Sequence, residues 1–167
     1  DAWLGGNMAV IRAMPNTPAL LGAGASGLFA TDAVSQAQKQ SAEHIFQATG
    51  LSQWIAEETL IDTVTALSGS GPAYVFMLAE AMQAAAEQQG LPKEAAQALT
   101  VQTFVGAAKM LSESGEPAQT LRQRVTSPNG TTQAAIETFE QGGLRELVQS
   151  AMDAAAERGR ALSKEND

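Results

Sequence analysis

Cysteine is absent from this chain of 167 residues, and histidine occurs once, as His44. Without cysteine the chain has neither a disulfide framework nor a thiolate metal site. A single histidine leaves no histidine-based metal cluster and no histidine-dependent triad. The composition therefore predicts no metal site, and the lack of thiols agrees with a cytoplasmic location, which we expect for this protein.

Aromatic residues make up only 5% of the chain, and the 10 basic residues are outnumbered by 18 acidic ones, for a net charge of −8. This charge argues against nucleic acid or an anionic membrane as a partner. Long apolar runs are also missing: the longest, Pro72 to Ala79, meets Glu80 well short of the ~18 residues of a membrane span. A small anion can still bind at a local group of N–H donors.

The first 57 residues carry a mixed pattern with too few elements to close a core. Short apolar runs predict strands, and a helix capped by Asp32 is expected to end at Gly50. The predicted strands are Met8–Met14, Leu28–Ala30 and Leu51–Ala56, and the predicted helix is Ala33–Thr49. We therefore place a domain boundary between residues 57 and 58.

Residues 58–167 predict helices only, so the fold class is mainly α. The helix from Ala73 to Gln89 is apolar on nearly all sides, which is typical of a buried helix, here too widely apolar for a small monomer. We predict that it forms a subunit interface. The last helix, Leu144 to about Lys164, is expected to turn Leu147 and Val148 inward.

One segment, Arg124–Glu137, has the composition of an anion site. Pro128-Asn129-Gly130 predicts a tight turn, and a helix is expected to begin at Thr131 and end at Gln141. The first N–H groups of such a helix have no intrahelical partners, so they can hold a carboxylate or phosphate. Helix starts rich in Ser and Thr are common, however, and the pattern by itself favours an ordinary capped helix.

Two glycine-rich segments do not qualify as nucleotide loops. Gly22-Ala-Gly24-Ala-Ser-Gly27 matches G-x-G-x-x-G, but it precedes a predicted strand and not a helix. Ser68-Gly-Ser-Gly71 is expected to form a flexible break that caps the next helix, whose first turn contains Pro72. Composition and spacing alone thus name no reaction.

Three motifs do name one. Val10-Ile-Arg-Ala-Met-Pro-Asn-Thr-Pro18, Leu67-Ser-Gly-Ser-Gly-Pro-Ala-Tyr74 and Val125-Thr-Ser-Pro-Asn-Gly-Thr-Thr132 together closely resemble the pyrroline-5-carboxylate reductase family, in order and in separation. The resemblance implies hydride transfer from NADPH or NADH to L-1-pyrroline-5-carboxylate, the last step of proline synthesis. It implies that residues 1–57 are the end of a Rossmann domain and residues 58–167 a helical dimerisation and substrate-binding domain. About 100 residues, a typical domain's worth, are then expected before Asp1.

The resemblance also implies the site. The Ser127 hydroxyl and the N–H groups of Gly130 and Thr131 would hold the substrate carboxylate, and the Thr132 hydroxyl would bond the ring nitrogen. Asn16 would contact the cofactor. The partners implied are the small-molecule substrate and further copies of the chain, as a homodimer or a larger homo-oligomer.

Alternatives remain open at this point. The chain by itself is expected to be inactive without a cofactor domain, so a non-catalytic helical dimerisation or carboxylate-binding module is one alternative. Another is a related dehydrogenase of hydroxy acids, although that chemistry commonly needs a Lys or His, and neither lies beside the three motifs.

Overall fold

The structure is a computed structural model that describes residue 6 and residues 8–165. Short strands and one helix come first, and helices follow. The strands are β1 (Ile11–Met14), β2 (Gly24–Ala30) and β3 (Gly50–Trp54). The helices are α1 (Gln36–Gln47), α2 (Ile61–Val64), α3 (Gly71–Gln88), α4 (Lys93–Glu113), α5 (Ala118–Arg124), α6 (Thr131–Gln141) and α7 (Leu144–Glu165). The predicted mainly α fold is confirmed.

The chain divides into two compact units. One comprises residues 1–74 and 149–167, and the other comprises residues 75–148. The domain boundary between residues 57 and 58 stays a prediction.

The first unit is built on a three-stranded sheet with β2 in the middle. β1 pairs antiparallel to β2, with Met14 opposite Gly27, and β3 pairs parallel to β2, with Leu28 opposite Trp54. Leu28 is fully buried at the centre of this sheet. β3 covers most of the predicted strand Leu51–Ala56 and lies at one edge of this three-stranded sheet.

β2 begins earlier than the predicted strand Leu28–Ala30, because Gly24 and Gly27 are also strand residues. A Cβ at Gly24 would lie 2.8 Å from the Thr49 carbonyl oxygen, and one at Gly27 would lie 2.6 Å from Val64 Cγ1. Both glycines therefore permit close packing in a buried strand.

The start of α1 also differs from the prediction. Ser35 and not Asp32 is the N-cap, since Ser35 and Gln38 bond each other's backbone N–H groups in a capping box. The carbonyl of Thr31 accepts the Val34 N–H at 3.0 Å, so residues 31–34 form a turn before the helix. The end of α1 differs too, because the helix ends at Gln47 and Gly50 is the first residue of β3.

The second unit buries few side chains within one chain. Within residues 75–148 the buried residues are Ala96, Thr100 and Leu121. The predicted burial of the apolar helix is therefore not met by this chain alone, because Phe76 and Met77 of α3 are 66% and 73% exposed. The inward face predicted for α7 is likewise open, with Leu147 65% exposed. A helical unit with this little internal core needs further surface to cover it.

Candidate functional site

The segment between α5 and α6 forms a hydrogen-bonded turn over Ser127–Gly130. The Gly130 N–H donates to the Ser127 carbonyl at 3.0 Å. Asn129 has a φ of 59°, as the third residue of a type II turn requires, and Pro128 stands second, where its fixed φ suits that turn. The turn predicted from Pro128-Asn129-Gly130 is confirmed, and α6 begins and ends at the predicted residues.

Position 130 requires a glycine because of a contact with Ser127 and not because of its backbone conformation. Its φ of −86° and ψ of 169° suit any residue, and it is the N-cap of α6. A Cβ at this position would overlap Ser127 Oγ and would lie 3.1 Å from the Ser127 carbonyl oxygen. The missing side chain thus leaves room for the Ser127 hydroxyl beside the helix start.

The N–H groups open to a ligand are not quite those predicted. Gly130 has given its N–H to the turn, so it is corrected from a free donor to a shaping residue. Hydrogen bonding inside α6 begins with the Ala134 N–H, which donates to the Gly130 carbonyl at 3.2 Å. The N–H groups of Thr131, Thr132 and Gln133 have no acceptor among the described residues. Three donors at the positive end of a helix favour a small anion.

Two hydroxyls beside these donors are also uncommitted. Neither Ser127 nor Thr132 has a side-chain hydrogen bond to any described residue. Thr126 differs, because its hydroxyl donates to the Arg122 carbonyl at 2.6 Å, and Thr138 donates in the same way to Ala134 at 2.9 Å. Thr132 lies in the first turn of α6, where no helical carbonyl stands four residues back. Its half-buried hydroxyl is therefore available to a ligand.

Sequence reasoning missed the residues that support the turn. The Asn129 N–H donates to Gln133 Oε1 at 2.8 Å, and Gln133 Nε2 donates to Glu137 Oε1 at 2.6 Å. A Gln at the third helical position and an acidic residue four places later are the signals that could have found this chain of hydrogen bonds.

An ion pair lies just before the turn. Arg124 Nη1 is 2.7 Å from Glu116 Oε1, which links the last residue of α5 to the segment before it. The Glu116 side chain is only 28% exposed, and its Oε2 has no hydrogen-bond partner among the described residues. This pair ties down the chain three residues ahead of Ser127.

A second ion pair joins α6 to α7. Arg145 donates to Glu140 from Nε at 2.8 Å and from Nη2 at 2.6 Å. The bond lowers the pKa of the Glu140 carboxyl and raises the pKa of the Arg145 guanidinium. Because both side chains are exposed, the pair contributes little to stability. The pair borders a cavity of about 410 Å³, which is lined chiefly by apolar side chains of α6 and α7. None of the predicted site residues lines this cavity.

Asn16, the predicted cofactor contact, lies in the first unit just after β1. Its Nδ2 donates to the Ser68 carbonyl at 2.9 Å, and its Oδ1 accepts the Ala25 N–H at 2.9 Å. These bonds bring together two of the three motifs singled out in the sequence, Val10–Pro18 and Leu67–Tyr74. The contact with a cofactor itself stays a prediction.

Within the described residues, no helix combines the length and the apolar character needed to cross a bilayer. That part of the chain also brings together no three His, Cys, Asp or Glu residues in a way that could hold a metal ion.

Comparison with known proteins gives a consistent result. The model of the pyrroline-5-carboxylate reductase dimerisation family matches residues 58–162. The pyrroline-5-carboxylate reductase of Pseudomonas aeruginosa is 52% identical over 166 residues, which is 99% of this chain and 60% of that protein. The reductase of Pasteurella multocida is 43% identical over 156 residues, 93% of this chain and 57% of that protein. The chain thus spans no more than about three fifths of these relatives.

Solved structures of the same family are similar to this chain in fold as well as in sequence. A pyrroline-5-carboxylate reductase from Coxiella burnetii superposes with a TM-score of 0.94 at 52% identity, over 96% of this chain and 60% of that one. The pyrroline carboxylate reductase of Plasmodium falciparum, solved with NADP bound, gives a TM-score of 0.83 at 33% identity, over 92% of this chain and 61% of that one.

Proposed function

Because the chain belongs to the pyrroline-5-carboxylate reductase family, we propose that it takes part in the reduction of L-1-pyrroline-5-carboxylate to L-proline. The observation that carries this proposal is the start of α6, where open N–H groups and two uncommitted hydroxyls follow an ordered turn. The reduction itself further needs a cofactor domain, of which residues 1–57 would be the end.

The loop would hold the substrate at its two polar ends. The Ser127 hydroxyl and the Thr131 N–H would bond the carboxylate, with Gly130 keeping space for the serine hydroxyl. Thr132 would act as the catalytic residue by bonding the ring nitrogen, which orients the C=N carbon. Anchoring both ends lowers the entropic cost of reaching the reactive geometry. No strong acid or base is required from the loop.

The cofactor would lie beside the segment that follows β1, where the resemblance to the family implies that Asn16 contacts it. The backbone there is restricted, since Pro15 and Pro18 bracket Asn16 and Thr17 and residues Thr17–Leu21 form a 3-10 helix. NADPH or NADH, when bound, supplies the hydride. The residues of this chain would shape the adjoining wall. The Plasmodium falciparum relative, whose structure holds NADP, supports this choice of cofactor.

A homodimer is proposed as the functional form. The family model that matches residues 58–162 describes dimerisation, and the apolar side chains of α3 are exposed in a single chain. A second copy would cover them. The net charge of −8 supports a small-molecule enzyme over a protein that binds nucleic acid or a membrane. The absence of cysteine is compatible with the proposed cytoplasmic location.

The function is tested by joining this chain to the N-terminal part of the Pseudomonas aeruginosa relative that it does not match. We expect this protein to oxidise NADPH in the presence of pyrroline-5-carboxylate, but not to reduce NADP with a 2-hydroxy acid. Oxidation of the hydroxy acid would instead favour the related dehydrogenase. Calorimetric titration of the chain with L-proline against a hydroxy acid then separates a carboxylate-binding module from the related dehydrogenase.

Replacing Gly130 with Ala tests the arrangement of the loop. The added methyl group would displace the Ser127 hydroxyl from the carboxylate site, while φ and ψ remain allowed. Loss of a hydrogen bond to a charged group costs ~1.5–3 kcal/mol, so we expect KM for pyrroline-5-carboxylate to rise about 10-fold or more. Steady-state kinetics measures this rise.

Gly106→Ala is the matched control, because a Cβ there meets no atom within 4 Å. An unchanged KM in Gly130→Ala would contradict the assignment of the Ser127 hydroxyl to the substrate.

A further inference from the structure

A π-helical turn at Thr65–Gly69 connects α2 to α3, in place of the flexible break predicted there. The Ser70 N–H donates at 2.8 Å to the carbonyl five residues earlier. In an α-helix that N–H would serve the Ala66 carbonyl, and the N–H of residue 72 would serve the Ser68 carbonyl. Residue 72 is proline and has no N–H. Two carbonyls of the turn therefore need donors from elsewhere.

Side chains provide both donors. The Tyr74 hydroxyl donates to the Ala66 carbonyl at 3.0 Å, and Asn16 Nδ2 donates to the Ser68 carbonyl at 2.9 Å. The other end of the Asn16 carboxamide accepts the Ala25 N–H. A carbonyl can only accept and an N–H can only donate, so the orientation of this carboxamide follows from its partners. Asn16 supplies the hydrogen bond that Pro72 cannot.

Packing holds the same turn against the sheet. A Cβ at Gly69 would lie 2.7 Å from Met14 Cε, so the turn rests on the last residue of β1. Ala25 and Ser68, the two partners of Asn16, both line an apolar cavity of about 300 Å³. The carboxamide thus joins two walls of this cavity to the segment that follows β1, beside which the cofactor is proposed to lie.

We infer that Asn16 is a positioning residue, which holds the Thr65–Gly69 turn in its π-helical form so that the wall beside the nicotinamide keeps its shape. This inference rests on the proposed function and replaces a direct contact with the cofactor by an action through Ser68. A π turn at a functional site is a recurrent arrangement, and here an asparagine and a proline together maintain it. A small shift of such a wall slows the reaction by misplacing the reacting atoms.

The test uses Asn16→Asp, which keeps the acceptor for Ala25 but turns an oxygen toward the Ser68 carbonyl. Pro72→Ala restores a backbone N–H to that carbonyl, so the double variant is expected to recover. Gln40→Glu on the exposed face of α1 is the control, since it makes the same chemical change at a residue without a role in the site.

Two measurements are made. Amide hydrogen exchange over residues 65–72 of this chain is expected to speed up about 10-fold in Asn16→Asp and to return to within about 3-fold in the double variant. In the joined enzyme, kcat is expected to fall about 10- to 100-fold. The isotope effect with NADPH deuterated at the transferred hydrogen is expected to rise, while the Kd for NADPH changes less than about 3-fold.

The outcomes separate the two proposals. A wild-type enzyme that does not reduce pyrroline-5-carboxylate would remove the proposed function, whereas the exchange data would still test the turn. Unchanged exchange with a weaker Kd for NADPH would show direct contact and overturn the positioning role. If Asn16→Asp and the double variant with Pro72→Ala lose the same amount of kcat, Asn16 does not act through its hydrogen bond to Ser68, and the positioning role is overturned. If Asn16→Asp does not fold, Asn16→Ser takes its place, because it leaves the Ser68 carbonyl open without adding charge.

Discussion

Thr132→Val is expected to lower kcat/KM for pyrroline-5-carboxylate about 100-fold while the fold survives. The substitution keeps the shape of the side chain and removes a hydroxyl that bonds no described residue, so α6 loses no hydrogen bond. The ring nitrogen would lose its partner where charge changes during hydride transfer. Removing one such donor from an active site typically costs ~10²- to 10³-fold in rate. Steady-state kinetics of the joined enzyme measures the loss.

Two further variants make this result specific to the hydroxyl. Thr132→Ser restores an O–H group, and we expect it to recover most of the lost rate. Thr138→Val makes the same change further along α6, where the hydroxyl only donates to the Ala134 carbonyl, and it should leave the kinetics unaltered. Kinetics of Thr132→Val equal to those of the wild type would refute the catalytic role of Thr132.

Phe76→Glu is expected to convert the proposed dimer to monomers. Phe76 is 66% exposed in the single chain, although it lies on the most apolar helix. A second copy would bury this side chain in each of two chains, at ~2 kcal/mol per phenylalanine, and a glutamate there would be desolvated at further cost. We therefore expect dimerisation to weaken at least about 1,000-fold, since each ~1.4 kcal/mol is tenfold. Size-exclusion chromatography with light scattering measures the mass at micromolar concentration.

Ile45→Glu is the matched control for this experiment. Ile45 has the same 66% exposure as Phe76, but it lies on α1 in the first unit. The dimer should persist in this variant. A wild-type chain that is monomeric at these concentrations, or a Phe76→Glu variant that remains dimeric, would exclude α3 as the interface.

Local chemistry made several elements predictable. The turn at Ser127–Gly130 and the bounds of α6 agree with expectation, because proline, asparagine and the helix start act within a few residues of one another. The three motifs likewise identified the family before any geometry was known.

Other features depended on contacts that the local pattern does not contain. Gly24 and Gly27 were placed before the predicted strand, but they pair with β3 and β1 as part of β2, where Thr49 and Val64 leave no room for a side chain. The Gly130 N–H was expected to be free to bind the substrate, yet it donates to the Ser127 carbonyl within the turn. In each case a neighbour settled the role of a small residue.

The sequence by itself determined the helical class, the turn that precedes α6 and the family, since periodicity, turn residues and motifs are all local patterns. Only the tertiary structure decided which groups Asn16 bonds, because its partners Ala25 and Ser68 lie 9 and 52 residues away. It also decided that the apolar surface of α3 stays exposed in one chain. An apolar helix surface in the sequence indicates that this surface must be covered. Whether the covering atoms belong to the same chain or to another copy depends on how the helices of the chain pack.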